Sequence, residues 1–265
     1  MKNIVTILFA ACVLLTVQSC STSKSASKNS SDNSEMLYSN KWYLTELDGK
    51  PFTFVGHDNK YASLQFSKGE PTKVSGNTGC NNIMGNMDVS KGNSLKFGPL
   101  ATTKMACPGN DNNESEFLLA LDGVTSYSIS DTQLVLKNGE TILARLNGIS
   151  IENADQLAGR WELNYISGPK ITFEGLYPNN KPFISFNFAD KSIMGNTSCN
   201  GFSAKYTMKG NTIHFGDGLQ TMMYCEGGGE ETFMTMLKKV NRFAENDNTL
   251  TFMIDDVAVM RFGQK

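Results

Sequence analysis

The sequence predicts a mainly β protein: two tandem small antiparallel barrel-like sheets, each with one packed α-helix. Three observations predict it. The chain is written twice, since Trp42 and Trp161 head two stretches in which unusual positions recur in the same order. Each stretch holds short segments that alternate apolar and polar residues, the period of a half-buried strand. The third is composition: 24 glycines and abundant Asn, with only 19% charged residues, suit strands joined by tight turns better than long amphipathic helices.

The repeat is explicit. Gly76-Asn77-Thr78-Gly79-Cys80-Asn81 aligns with Gly195-Asn196-Thr197-Ser198-Cys199-Asn200. One deletion then brings Thr103, Met105 and Cys107 onto Thr221, Met223 and Cys225, and a second brings Glu114 and Phe117 onto Glu230 and Phe233. The unit is therefore a domain of about 115 residues, close to the common size for a single core.

Ahead of the repeat, Met1-Lys2-Asn3 and the apolar run 4–17 read as a secretory signal, too short to span a bilayer. Val17-Gln18-Ser19-Cys20 resembles a bacterial lipobox, so residues 1–19 are expected to be removed and Cys20 to be lipidated. Residues 20–38, rich in Ser, Lys and Asn, are read as a flexible stalk with a reach of roughly 25 Å. The expected location is the cell envelope, lipid-anchored in the outer membrane and facing the periplasm. Ser21 resembles the residue that sends such cargo outward, and no acidic cluster follows Cys20.

The first domain is placed at 39–147 and the second at 157–265, with a linker at 148–156 short enough to hold the two in contact. In the first, 41–47 opens the sheet and 64–66 alternates. A helix then begins near Asp111, Asn112 or Asn113, with Glu114 and Glu116 in its first turn and Phe117, Leu118, Leu121 and Val124 on one face. Segments 127–129, 133–137 and 141–146 close the sheet. The second domain repeats this with 186–188, then Glu230 and Glu231 ahead of Phe233, Met234, Leu237 and Val240, then 250–254 and 258–262. Gly139 and Asp255-Asp256 mark turns.

Four cysteines remain beyond the signal and Cys20: Cys80, Cys107, Cys199 and Cys225. Of three possible connectivities only Cys80–Cys107 with Cys199–Cys225 respects the repeat, and an oxidising compartment favours it. No C-x-x-C spacing points to a thiol redox centre. His57 and His214 do not correspond between copies, so no metal site is expected.

Trp42-Tyr43-Leu44, the G-x-x-G-C-N core at 76–81, Gly85, Thr103-Lys104-Met105-Ala106-Cys107 and Glu114 resemble the META domain family of HslJ-like, heat-shock-associated envelope lipoproteins. Trp161-Glu162-Leu163, Gly195, Cys199-Asn200, Phe202, Tyr206, Thr221-Met222-Met223-Tyr224-Cys225 and Glu230 carry the same resemblance. It spans about residue 39 to residue 263. Ile83 and Met87 replace aromatics in the first copy, and Ser198 and Ala204 replace glycines in the second. The resemblance implies a fold similar to a pilotin-type lipoprotein and an association with the envelope, heat induction and novobiocin tolerance. It brings no catalytic residues.

Function follows mainly by exclusion. A net charge of -2 and the lack of a basic run exclude backbone-driven nucleic-acid binding. No G-x-S-x-G, Walker loop or H-E-x-x-H occurs, and Thr103 and Thr221 have no base near them in sequence. The expectation is a non-enzymatic envelope lipoprotein without a cofactor, binding a protein, peptide or small hydrophobic ligand. Alternatives are a purely structural, stress-protective protein and a hydrolase using those threonines. Gly76, Asn81, Thr103, Met105, Gly195, Asn200, Thr221 and Met223 are the motif positions that serve either structure or binding. The Asn-Gly stretches read as turns using positive φ, and Met222, Met223, Met234 and Met236 as core or an adaptable binding surface.

Overall fold

A computed structural model describes residues 28–56, 60–90, 92–106, 111–168 and 170–265. Cys20, His57 and Cys107 lie outside these residues. The first domain runs β1 (Asn40–Leu47), β2 (Lys50–Pro51), β3 (Ala62–Ser67), β4 (Thr72–Thr78), β5 (Asn82–Ser90), β6 (Ser94–Thr102), α2 (Asp111–Asp122), β7 (Ser126–Ser130), β8 (Gln133–Asn138) and β9 (Thr141–Ser150), with α1 (Lys28–Ser39) ahead of it. The second runs β10 (Arg160–Ile166), α4 (Phe173–Leu176), β11 (Phe183–Asn187), β12 (Ser192–Asn196), β13 (Gly201–Lys209), β14 (Thr212–Gln220), α5 (Gly229–Lys239), β15 (Arg242–Asn246), β16 (Thr249–Ile254) and β17 (Val257–Gln264), preceded by α3 (Ile151–Leu157). Among the described residues no helix is long and apolar enough to cross a membrane.

Each domain is an antiparallel sheet rolled until its first strand meets its last. β1 pairs with β3 on one side and β9 on the other, while β10 pairs with β11 and β17. The rolling is produced by bulges at matching places in the two copies. Register shifts fall between Leu44 and Glu46, Gly85 and Met87, and Leu136 and Lys137. Their counterparts lie between Leu163 and Tyr165, Ala204 and Tyr206, and Phe252 and Met253. An extra residue bends and twists a strand, which is what closing a small sheet requires.

Closure has one weak seam per barrel. β6 and β7 share only the pair Ser94–Ser126, and β14 and β15 only Thr212–Arg242. The chain inserts α2 and α5 at these seams. Their apolar faces enter the barrels: Phe117, Leu121 and Val124 in one, Phe233, Leu237 and Val240 in the other, all at most 1% exposed. Phe233 meets Phe202 and Phe262 edge-on, at centroid distances of 5.5 and 6.4 Å. Glu230 and Glu231 at the start of α5 and Lys238 and Lys239 at its end suit the helix dipole.

Two expectations need correction. The stalk reading of 20–38 does not hold from Lys28 onward, because α1 ends with Leu37 fully buried and the Trp42 indole N–H donates to the Leu37 carbonyl at 3.0 Å. The linker at 148–156 is likewise structured: β9 continues to Ser150, and α3 presents buried Leu157, whose carbonyl accepts from the Trp161 indole at 3.2 Å. The repeated unit therefore begins with a short helix whose last apolar residue lies at the buried tryptophan. Gly148, read as part of the linker, faces Trp42 so closely that a Cβ would lie 2.6 Å from its ring.

The domains pack against one another. Tyr43 points out of the first barrel and joins the apolar cluster of the second with Ile149, Ala154 and Leu157, its ring 5.1 Å from that of Phe188. Asn147 donates to the Ala189 carbonyl at 2.6 Å and Lys191 to the Thr132 hydroxyl at 2.5 Å across the contact. Burial pushes the Tyr43 phenol well above its ordinary value of 10.0, with the Asp155 charge acting in the same direction. Tyr206 is raised by burial first and by Tyr43 second.

A phenol whose pKa rises on folding contributes its stability in full below about pH 10 and loses it at higher pH, because the unfolded chain ionises first. The thermal midpoint is accordingly expected to fall between about pH 9 and about pH 11, and to fall less in Tyr43→Phe. An equal fall in both proteins would remove Tyr43 from this account.

Candidate functional site

The motif residues converge around one buried asparagine per domain. In the first, the turn from β4 to β5 closes through the Thr78 N–H on the Asn81 carbonyl, and the Thr78 hydroxyl accepts from the Asn81 N–H at 3.0 Å. The Asn81 side chain then joins two distant segments to this turn. Its Oδ1 accepts from the Thr103 hydroxyl at 2.9 Å and the Met105 N–H at 2.7 Å. Its Nδ2 donates to the Met105 carbonyl at 3.2 Å and to Glu114 Oε2 of α2 at 2.9 Å. The Thr78 hydroxyl donates to the same carboxylate at 3.0 Å.

The second domain repeats the arrangement. Asn200 Oδ1 accepts from the Thr221 hydroxyl at 2.7 Å and the Met223 N–H at 2.9 Å. Its Nδ2 donates to the Met223 carbonyl at 3.0 Å and to Glu230 Oε2 at 2.8 Å, and the Thr197 hydroxyl reaches that oxygen at 2.8 Å. Asn81, Thr78, Asn200 and Thr197 are at most 4% exposed, so each polar group needs the partner it has. Thr103 and Thr221 accept from the N–H groups of Asn82 and Gly201 while donating to an amide oxygen, which is not a base. The geometry is that of a clamp.

The glycines serve two purposes. Gly76 and Gly195 are required by close approach, since a Cβ would lie 2.1 Å from the Ser63 carbonyl oxygen and 1.9 Å from that of Phe183; positive φ is not the reason, as the turn reading held. Positive φ applies at the next glycine, Gly79 at +94°, whose counterpart Ser198 adopts 92°. Cys199 and Cys225 are bridged beside the clamp. Cys80 is also disulfide-bonded, and Cys107 lies outside the described residues. Among the described residues no three His, Cys, Asp or Glu side chains gather as a metal site.

Beyond the clamp, the two domains differ on their surfaces. In the second, Leu219, Met222, Met223 and Tyr224 are 81, 95, 62 and 93% exposed. Met223 and Met105 thus lend their backbones to the clamp and their side chains to solvent, whereas Met234 and Met236 pack half-buried against the core. A shallow groove of about 560 Å³ adjoins this strip, lined by Phe183, Met194, Phe202 and Leu219. In the first domain the positions matching Leu219, Met222 and Tyr224 are Ala101, Lys104 and Ala106. That contrast was present in the repeat alignment, and the exposure of Leu219 was not.

The META domain matches residues 35–147 and again 155–265. The chain belongs to the META domain family. Both matches begin in the helix ahead of a barrel, as the structure does, rather than at 39 and 157. An NMR structure of a protein is 26% identical over 42% of this chain and 91% of its own, with a TM-score of 0.33. One from Burkholderia xenovorans is 28% identical over 43% of this chain and 85% of its own, with a TM-score of 0.34. No curated protein matches. At family level, META membership supports an envelope-associated, stress-related protein.

The clamp explains the spacing of the META motifs as architecture. Asn200→Ala is expected to cost about 2 kcal/mol in chemical denaturation, because it removes at once the amide donor to the half-buried Glu230 carboxylate and the acceptor of the Thr221 hydroxyl and the Met223 N–H. A cost below about 1 kcal/mol would mean that the network is dispensable. Conversely, Ser198→Gly should add about 1 kcal/mol by relieving positive φ, and no gain would show that the turn carries no strain. Cys199→Ser with Cys225→Ser should cost about 3 to 4 kcal/mol for a loop of this length, read from the shift in denaturation midpoint.

Proposed function

We propose that the protein is a non-enzymatic envelope lipoprotein, anchored through Cys20, that holds an apolar protein or peptide segment on its second META domain during envelope maintenance or stress. The observation that carries this reading is the strip of Leu219, Met222 and Tyr224, each more than four-fifths exposed. Isolated apolar side chains on a surface need no explanation, but several in succession beside an apolar groove mark a binding face. Thioethers and a tyrosine make such a face adaptable, since Met repacks readily and Tyr offers both ring and hydroxyl.

The groove is shallow and runs beside β13 and β14, a shape that suits an extended segment better than an enclosed small molecule. The non-enzymatic reading is supported by the clamp hydroxyls, which donate to amide oxygens. A small hydrophobic ligand in the same groove is the second reading, favoured by the Phe183 ring and the Met194 side chain lining it.

In-cell crosslinking of the lipidated protein tests the proposal. One abundant envelope protein is expected to crosslink near Met222, and the Leu219→Ser/Met222→Ser variant should lose it while keeping its melting temperature, as surface substitutions do. Diffuse crosslinks unchanged by that variant would instead support a structural, stress-protective role.

A further inference from the structure

We infer that the cleft between the two META domains is a binding site for a small organic anion with an aromatic or other apolar body. The cleft has a volume of about 840 Å³, the size of a small-molecule site. One wall is built from β1, β3, β4 and the start of β5, and the other from the start of β10 and the end of β11. Lys41, Lys60, Arg160 and Lys265 line it, and no Asp or Glu among the described residues does. The whole chain carries a net charge of -2, so this concentration of positive charge is local.

Two of the four cations are one position of the repeat. Lys41 and Arg160 each precede the buried tryptophan of their own domain, and the packing of the barrels turns both toward one space. Arg160 and Lys265 each retain capacity for an anion. The Arg160 guanidinium stacks 3.5 Å from the Phe183 ring centre, an arrangement that leaves its N–H groups directed in the guanidinium plane. Lys265 lies 3.5 Å from Glu162, with the lysine side chain 61% exposed, a solvent-screened pair that is weak by itself. The nearby carboxylates Asp155 and Asp190 act on the Tyr43 and Tyr61 phenols and are not among the lining residues. Walls of low dielectric focus the field of the four cations into the cleft.

The apolar body is required by the rest of the lining. Tyr61 and Met84, the latter 57% exposed, supply accessible apolar surface beside the buried rings of Tyr43, Phe186 and Phe188, and Ser75 and Asn82 supply neutral polar groups. A bare inorganic anion would leave that apolar surface wet.

Calorimetric titration of the full chain with 1-naphthyl phosphate at low salt tests the site. Binding at one site per chain is expected, weakening at least about tenfold in Lys41→Gln/Arg160→Gln as two charge-assisted contacts are lost. It should also weaken as salt is raised. Lys104→Gln, outside the cleft, and Leu219→Ser/Met222→Ser should bind as the parent does, which separates this site from the apolar strip. Lys60→Gln/Lys265→Gln serves as a second charge-removing pair should the first alter the melting temperature. Unchanged affinity in both pairs would overturn the inference. So would equal affinity for inorganic phosphate or for uncharged 1-naphthol, or loss of binding in the strip variant.

Discussion

A buried asparagine holding three chain segments at once, two by its side chain and one by its backbone, is the interaction on which each domain depends. Asn200 reaches the segment after β14 through Met223 and Thr221, and α5 through Glu230, while its own backbone closes the turn from β12 to β13. The barrel needs this because its strands do not finish the job: at the seam between β14 and β15 a single residue pair remains. The helix that fills the seam has to be held at its amino-terminal end, where its first-turn carboxylate is pinned by an amide and a hydroxyl. A half-buried carboxylate left without those donors would lose two charge-assisted hydrogen bonds, so the clamp and the helix position imply each other.

Because the clamp occupies the motif residues, the two domains are free to differ elsewhere, and they do so in an ordered way. The residue after the buried tryptophan is Tyr43 in the first domain, where it becomes the anchor between barrels, and Glu162 in the second, where it faces Lys265. The segment through the TxMxC motif carries Lys104 and Ala106 in one copy and Met222 and Tyr224 in the other. One scaffold thus presents a polar surface once and an apolar one once, with a cationic cleft where the copies meet.

Much of this was legible in the residues. The repeat, the strand-rich core, the helices with Phe117 and Phe233 on their buried faces, and the Cys199–Cys225 pairing all follow from periodicity and correspondence, since packing and crosslinking repeat when the sequence does. The leading helices were not legible. Lys28–Ser39 is rich in Ser and Asn, and it orders because Leu37 is buried beside Trp42 while Met36 and Tyr38 pack against the same core. Gly76 and Gly195 were read as turn residues, but their cause is a carbonyl from a neighbouring strand, which no local pattern encodes. The cleft was invisible for the same reason: Lys41 and Arg160 are far apart in sequence, and only the docking of Tyr43 brings them to one space.

Native-state hydrogen exchange at the Met223 amide tests the central claim most directly. Its side chain is 62% exposed and its residue lies outside any helix or strand, so an ordinary loop amide there would exchange quickly. Bonded to Asn200 Oδ1, it is expected instead to exchange only through global unfolding of the second barrel, with the same protection as core amides of β11 and β13. Exchange at the rate of an open loop would contradict the clamp.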